Sequence, residues 1–343
     1  MSRKARVTLK DVAGTAGVSL ATASHSLRGN GTVSAETATR VRDVAAAIGY
    51  RPHLMASNLR RQRTFTIGVI APSLGNPLIS ELVEALYTEC RARGYSVLCG
   101  TTNYEPAVEA HYIDLFLGHP CDGIIVAGQP DSLEDIIRAG VPAVLIDCHM
   151  PSDFVRVPVV EVEDMHGMYS AVAHLQRMGH QTIGLIYGPH DQLRQEGYRR
   201  ALEDAGGRYD PELVADAGRL VFENAARIAS EWLAARPDMS AIATTTDVLA
   251  FGVLHSARAA GRRVPEDLAV VGFDDIPLAA AATPPLTTIA QPVALIVANA
   301  VELLQEQIEA KTITLDRRRI MLKAQLVVRE SCGAALASAA RTG

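Results

Sequence analysis

Several polar residues in this 343-residue chain stand shortly behind apolar runs. Asn76 follows FTIGVIA, Asp147 follows AVLI, Asp247 follows AIATTT and Asp274 follows VVGF. Arg194 opens the helical pattern behind TIGLIYGPHDQ, and Gln291 follows LTTIA as a weaker member of the set. Carboxylates, amides and a guanidinium are the groups that hold hydroxyls or carboxylates of a small ligand. In doubly wound sheets, ligands bind just beyond the carboxyl ends of the strands, where these residues fall. Taken singly, each residue reads more readily as a helix cap or a hinge hydrogen bond. Catalysis has less support. The chain has no G-x-S-x-G, no Walker A loop, no G-x-G-x-x-G and no H-E-x-x-H. Its histidines show no zinc-ligand spacing, and His180, ahead of a strand, reads as a turn residue. The expectation is a non-enzyme without metal or cofactor.

The elements that must position these side chains alternate along the chain from Phe65 onward. Short β-branched runs (FTIGVIA, YSVLCG, GIIVA, AVLID, TIGLIYG, AIATTT, LAVVGFD) are separated by helical patterns such as LISELVEALYTECRARG and EDMHGMYSAVAHLQRMG. Continuous apolar strands joined by helices imply parallel sheets covered on both faces. About eleven such elements exceed one comfortable sheet, so the reading is an α/β body of two doubly wound lobes. On helix 78–93, Leu82, Leu86 and Cys90 form a stripe that reads either as a dimer surface or as the helix's own core face.

The N-terminal segment differs in kind. Residues 1–63 hold eleven Lys/Arg and three Asp/Glu, whereas the rest holds 22 and 35, within a chain of net charge −5. A basic arm on an acidic body points to a polyanion gripped at one end, the bland alternative being a solvated tail. Thr8 with Asp11 reads as an N-cap, Gly17 ends the first helix, and Ser19 caps a second from Leu20 to about Leu27. Ser34 caps a third helix that runs to Gly49. Two short helices around a glycine-containing turn are the helix-turn-helix pattern, a generic three-helix module being the plainer reading. RPHLMASNLRRQRTF then combines small apolar residues, Leu59 and arginines, which suits a minor-groove helix as well as an ordinary connector. No apolar run reaches membrane-span length and no apolar signal core opens the chain, so a cytoplasmic location is expected. The five scattered cysteines include no C-x-x-C and read as reduced thiols.

VTLKDVAGTAGVSLATASHSL followed by TRVRDVAAAIGYRPHLMASNLRRQRTFTIGVI resembles the lactose-repressor/galactose-repressor family of bacterial transcription factors. The resemblance continues through CDGIIVAG, HLQRMGHQTIGLIYG, VVGFDD, PPLTTIAQP and LVVRES, nearly the whole chain. It implies a homodimeric repressor on a pseudo-palindromic operator, with a small effector, most readily a sugar, in a periplasmic-binding-protein-like body. A solute-binding protein of the same body fold is the alternative, disfavoured by the basic helical arm and the missing signal peptide. The implied organisation is a helix-turn-helix domain (1–50), a hinge helix (51–64), a two-lobed body (65–331) and a tail (332–343). Lobe one would comprise about 65–163 and 292–322, and lobe two about 164–291 and 323–330. The implied DNA contacts are Thr8, Ser19, Leu20, Ala21, Thr22, Ser24, His25, Asn30, His53, Ala56, Ser57 and Leu59. The implied effector contacts are Asn76, Asp147, Arg194, Leu220, Phe222, Asp247, Asp274 and Gln291, with Leu220 or Phe222 near the usual aromatic platform. Four features depart from the family pattern: the segment between Gly188-Pro189 and Arg194 is shorter than in several relatives, Thr246 stands where an asparagine is frequent, Leu220 aligns best with the aromatic platform, and His25 stands where an arginine is frequent.

Overall fold

The computed structural model describes residues 7–28, 33–50, 63–118, 121–130, 133–148, 156–310 and 318–334. It divides into two compact units, residues 1–64 and 65–343. Elements are numbered in chain order.

The first unit contains α1 (Leu9–Ala16), α2 (Leu20–Arg28) and α3 (Ala35–Ala47). Thr8 and Asp11 form a reciprocal capping box: the Thr8 N–H donates to Asp11 Oδ2 at 2.8 Å, and the Asp11 N–H donates to Thr8 Oγ1 at 3.4 Å. Gly17 ends α1 in the left-handed region at φ 66°, a conformation that spares a residue without Cβ. Ser19 Oγ accepts from the Thr22 N–H at 3.0 Å, and Ser34 Oγ accepts from the Thr37 N–H at 3.3 Å. Val12, Ala13, Ala16, Ala23, Val41 and Ala45 form the core, and these mostly small side chains let the helices pack closely.

The second unit carries two six-stranded sheets. The first sheet contains β1 (Thr66–Ala71), β2 (Ser96–Thr101), β3 (Gly123–Ala127), β4 (Ala143–Ile146), β5 (Val159–Val162) and β11 (Arg319–Leu322). Their spatial order is β11-β5-β4-β3-β1-β2, and every pairing is parallel. The second contains β6 (Ile183–Tyr187), β7 (Val214–Asp216), β8 (Ala241–Thr244), β9 (Ala269–Asp274), β10 (Thr287–Ala290) and β12 (Gln325–Val327). Their order is β12-β10-β9-β8-β6-β7, with β12 alone antiparallel. The chain passes between the sheets after β5, after β10 and after β11.

The helices joining the strands are α4 (Pro77–Ala92), α5 (Pro106–Gly118), α6 (Leu133–Ala139), α7 (Asp164–Arg177), α8 (Gln192–Asp204), α9 (Phe222–Ala235), α10 (Asp247–Ala259), α11 (Pro277–Ala281) and α12 (Val293–Ala310). They bury apolar stripes on both faces of each sheet. The stripe Leu82, Leu86 and Cys90 of α4 is fully buried in the core of the first sheet. It is therefore the helix's own core face, and the dimer-surface reading of those residues is corrected. Helices α9 and α10 cross at Gly252, where a Cβ would stand 2.8 Å from the Ala226 nitrogen and 2.9 Å from the Ala225 Cβ.

Candidate functional site

A cavity of about 680 Å³ opens where the carboxyl ends of both sheets' strands converge. Strand polarity explains its location: parallel strands in each sheet deliver their following loops to one edge. The first sheet contributes Pro72 after β1, Thr102 and Tyr104 after β2, Gln129 after β3, Asp147 after β4, and Glu161 and Arg319 from β5 and β11. The second sheet's contribution is the loop Pro189–Arg194, Leu220, Thr246 and Asp274.

Arg194 anchors this second wall from the first turn of α8, almost wholly buried. Its Nη1 donates to the Thr245 carbonyl at 2.6 Å and its Nη2 to Asp164 Oδ1 at 3.2 Å. Nε lies 3.0 Å from Asp164 Oδ2 but off the hydrogen-bonding direction, so that contact is electrostatic rather than a second bond. Asp274 Oδ1 stands 3.8 Å from Nη1, and the guanidinium carbon lies 3.9 Å above the Phe273 ring centre. Burial opposes the guanidinium charge, but Asp164, Asp191, Asp274 and Asp147 outweigh it and hold the proton more firmly than in water. Burial pushes the Asp191 and Asp274 carboxyls up, against the pull of Arg194. Around the cavity stand six carboxylates (Glu109, Asp147, Glu161, Asp164, Asp191, Asp274) and two guanidiniums, Arg194 and Arg319.

The backbone is strained in the same place. Tyr104, Asp147, His190 and Asp274 line the cavity with positive φ, and Asn103 and Asp275 beside them share that conformation. Non-glycine residues in that region cost about 1–3 kcal/mol each and cluster where ligands bind.

Of the residues expected to face a ligand, Asn76, Asp147, Arg194, Leu220 and Asp274 line the cavity together. Asn76 also caps α4 through Oδ1, which accepts from the Leu78 N–H at 3.1 Å. Asp247, Phe222 and Gln291 lie outside this lining. The Asp247 carboxylate turns into the protein, accepting from the Ile276 N–H at 2.9 Å and the Thr288 hydroxyl at 2.5 Å. Its neighbour Thr246, the N-cap of α10, faces the cavity instead. Burial raises the Asp247 carboxyl to about 7. Phe222 meets His255 edge-on at 5.3 Å. Gln291 Nε2 donates to Asp274 Oδ1 at 2.9 Å, so it touches a cavity residue from behind, beside a smaller pocket. Sequence reasoning missed Tyr104, Glu109, Glu161, Asp164, Asp191, Thr246 and Arg319. Tyr104 and Asp191 had a signal, since each follows a strand of the same kind as those used to find Asp147.

In the first unit, α2 buries Ala23 and Ser26 and exposes Leu20, Ala21 and His25, with Thr22 and Ser24 half-buried beside them. Ser26 is satisfied within the helix, its hydroxyl donating to the Thr22 carbonyl at 2.8 Å. Thr8 and Ser19 cap α1 and α2 at the exposed surface. Asn30, His53, Ala56, Ser57 and Leu59 lie outside the described residues. No helix among the described residues is long and apolar enough to cross a membrane.

Comparison with known proteins joins the two units. Residues 8–53 match the bacterial regulatory proteins of the lacI family, and residues 172–332 match the periplasmic binding protein-like domain. The chain is 33% identical over 331 residues to the HTH-type transcriptional repressor CytR of Escherichia coli K12, covering 94% of this chain and 96% of that protein. It is 34% identical over 298 residues to the HTH-type transcriptional regulator DegA of Bacillus subtilis, covering 84% and 87%. A crystal structure of the lac repressor dimer bound to operator and the anti-inducer ONPF superposes with a TM-score of 0.83 at 26% identity, covering 96% of this chain and 99% of that one. A complex of the transcriptional regulator CelR with cellobiose gives 0.71 at 30% identity, covering 95% and 100%. A three-helix head with an exposed second helix, and a two-sheet body with a polar cavity, are thus accounted for together: the chain belongs to the LacI family of bacterial transcriptional regulators.

Proposed function

We propose that this regulator is a repressor that binds a pseudo-palindromic operator as a homodimer in the cytoplasm, and that a neutral polyhydroxylated ring of the sugar class enters its cavity. The observation that carries the ligand class is the acidic lining: six carboxyl groups face two guanidiniums, and with Asp191 and Asp274 raised by burial the other four still outnumber them. A phosphorylated or carboxylated ligand meets repulsion and desolvation there, whereas vicinal hydroxyls can donate to carboxylates and accept from Arg194. The volume of about 680 Å³ falls in the range of small-molecule sites. The CelR–cellobiose and ribose-bound LacI-family structures among the solved relatives support the same class.

On the DNA side, α2 is the helix for the major groove, with Ala21 suited to a thymine methyl and Thr22 and Ser24 to phosphates or base edges. Two linked heads multiply affinity through effective concentration. A ligand alters DNA affinity only through its differential affinity for the two lobe arrangements. The solute-binding alternative leaves the helical head without a purpose. A chain of residues 66–343 keeps ligand binding and loses operator binding under our reading.

The test is a thermal-shift panel on the full chain, with glucose, galactose, ribose and cellobiose against glucose 6-phosphate and gluconate. A ligand that binds only the folded state raises Tm. Neutral members shift Tm and the hit changes operator affinity; a shift by the anionic members alone rejects the ligand class.

A further inference from the structure

We infer that Tyr104 is the stacking platform of the cavity and sets its preference for ligands with an apolar ring face; this rests on the sugar-class reading above. Rings of pyranose or furanose type expose a C–H face that an aromatic side chain covers, gaining dispersion and area burial that a carboxylate lining cannot give.

Three observations converge on Tyr104. First, Leu220, the residue of the second wall nearest the expected platform, is aliphatic, and Phe222 is turned onto His255 outside the lining. Apart from His190, Tyr104 is the aromatic side chain among the cavity-lining residues described. Second, the side chain is 50% exposed while the turn beneath it is tightly built. The Thr102 N–H donates to the Ala71 carbonyl at 3.0 Å, the Asn103 N–H to the Pro72 carbonyl at 2.7 Å, and the Glu105 N–H to the Thr102 carbonyl at 3.0 Å. The Tyr104 N–H donates to Thr102 Oγ1 at 3.3 Å. A large apolar ring left open on a fixed backbone is placed for a ligand rather than for the core. Third, Asn103 and Tyr104 hold φ of 51° and 62°, a left-handed pair in which a bulky tyrosine is uncommon. That conformation is retained where the ring's direction has a use.

The phenol's surroundings agree. Burial in the concave mouth raises it, and the negative charges of Asp147 and Asp191 raise it further against the nearby Arg219. The hydroxyl is thus a retained O–H donor, flanked by acceptors from both walls. Asp147 of the first sheet and the Asp191 loop of the second line the same cavity as Tyr104, which offers a stacked ligand partners from both lobes.

The experiment compares wild type, Tyr104→Phe and Tyr104→Ala by calorimetric titration with glucose, galactose, ribose and cellobiose, and with the open-chain polyol sorbitol. Urea unfolding midpoints of the three proteins establish that each is folded. For whichever cyclic sugar binds wild type, Tyr104→Ala weakens binding about tenfold or more, and Tyr104→Phe by about threefold or less. Sorbitol binding changes by less than the cyclic sugar's does. Unchanged affinity in Tyr104→Ala, or equal losses for sorbitol and the cyclic sugar, overturns the platform while leaving the sugar-class reading intact. Absence of binding by every cyclic sugar to wild type overturns the sugar-class reading and the platform with it.

Discussion

Replacing Arg194 by methionine removes the guanidinium beside Asp164, Asp191 and Asp274 while keeping a side chain of similar length. Breaking a buried ion pair by deleting one partner costs about 3–5 kcal/mol, because the remaining charge has lost its compensation. The Thr245 carbonyl also loses its 2.6 Å donor. The cost is pH-dependent, and its sign follows from the carboxyls. Asp191 and Asp274 are already raised by burial in the native state, and Arg194 is what pulls them down. Without it they rise further, so the native variant holds protons that the unfolded chain has released. A native state that binds more protons loses stability as pH rises, from about pH 4 upward, by about 1.4 kcal/mol per pH unit for each extra proton held. Wild type shares the raised carboxyls, so the deficit of the variant widens only where wild type has released protons that the variant still holds, and it is larger at pH 8 than at pH 5. Urea titrations at both pH values, followed through Trp232, measure it by linear extrapolation. Trp232 is the sole tryptophan and packs in the second sheet's core against Gly184, away from the cavity lining. The control is Arg199→Met on the same helix, whose ion pair with Glu196 lies at the surface with both side chains partly exposed and whose loss moves the midpoint little. A deficit equal at pH 5 and pH 8, or one below about 1 kcal/mol at pH 8, refutes the assignment of Arg194 as the counter-ion of this cluster.

Asp247, raised to about 7 by burial, makes wild-type stability fall as pH rises from about 4 to 7. Asp247→Asn keeps an acceptor for the Ile276 N–H and flattens that slope in urea titrations across the same interval. Gly252→Ala drives a methyl against Ala225 and the Ala226 nitrogen and lowers stability by about 1–3 kcal/mol, read as a shift in the urea midpoint. Thr8→Ala dissolves the capping box of α1 and costs about 1 kcal/mol of head stability, visible by circular dichroism as a lower melting temperature of the helical head. His25→Arg changes the operators selected from random DNA toward guanine at the facing base pair, since arginine bonds guanine twice and histidine once. Identical selected sites for the two proteins remove His25 from base readout.

Legibility followed how completely an element is buried. Ile67–Ala71, Gly123–Ala127, Ala143–Ile146 and Ala269–Phe273 are continuous apolar runs because both faces of their strands are covered, and each forms a strand. Edge strands β7 and β11 are short and partly exposed, and their residues carry too little apolar signal to be read singly. At the cavity the strand-end rule reaches Asp147, Arg194 and Asp274, because each falls where the backbone leaves the sheet. It cannot separate Thr246 from Asp247. Whether the cavity receives the N-cap side chain or the next one depends on the helix's rotation about its axis, which tertiary packing fixes. Asp164 and Asp191 escaped notice for a related reason. Asp164 opens a helix like any acidic residue there, and Asp191, although it follows β6, is not set apart in sequence from its neighbours; the position of Arg194 in three dimensions makes the two a cluster.

Asp274 stands where three demands meet. Its Oδ1 accepts from Gln291 Nε2 at 2.9 Å and faces Arg194 at 3.8 Å, and Asp247 raises its carboxyl through space. Gln291 lies just after β10, where the chain leaves the second sheet for α12 against the first, and Asp247 holds the Thr288 hydroxyl of β10 itself. Under the proposed function, a ligand hydroxyl that bonds Asp274 shares that carboxyl group with Gln291, whose segment passes between the sheets. The apolar cores of the two sheets have no comparable sensitivity, because close-packed side chains do not exchange partners at the cost of a single hydrogen bond. Under the proposed function, coupling between ligand and lobe arrangement is expected at this polar junction, where one hydrogen bond exchanged at a buried carboxyl is worth about 0.5–3 kcal/mol. That is the size of a typical allosteric coupling free energy.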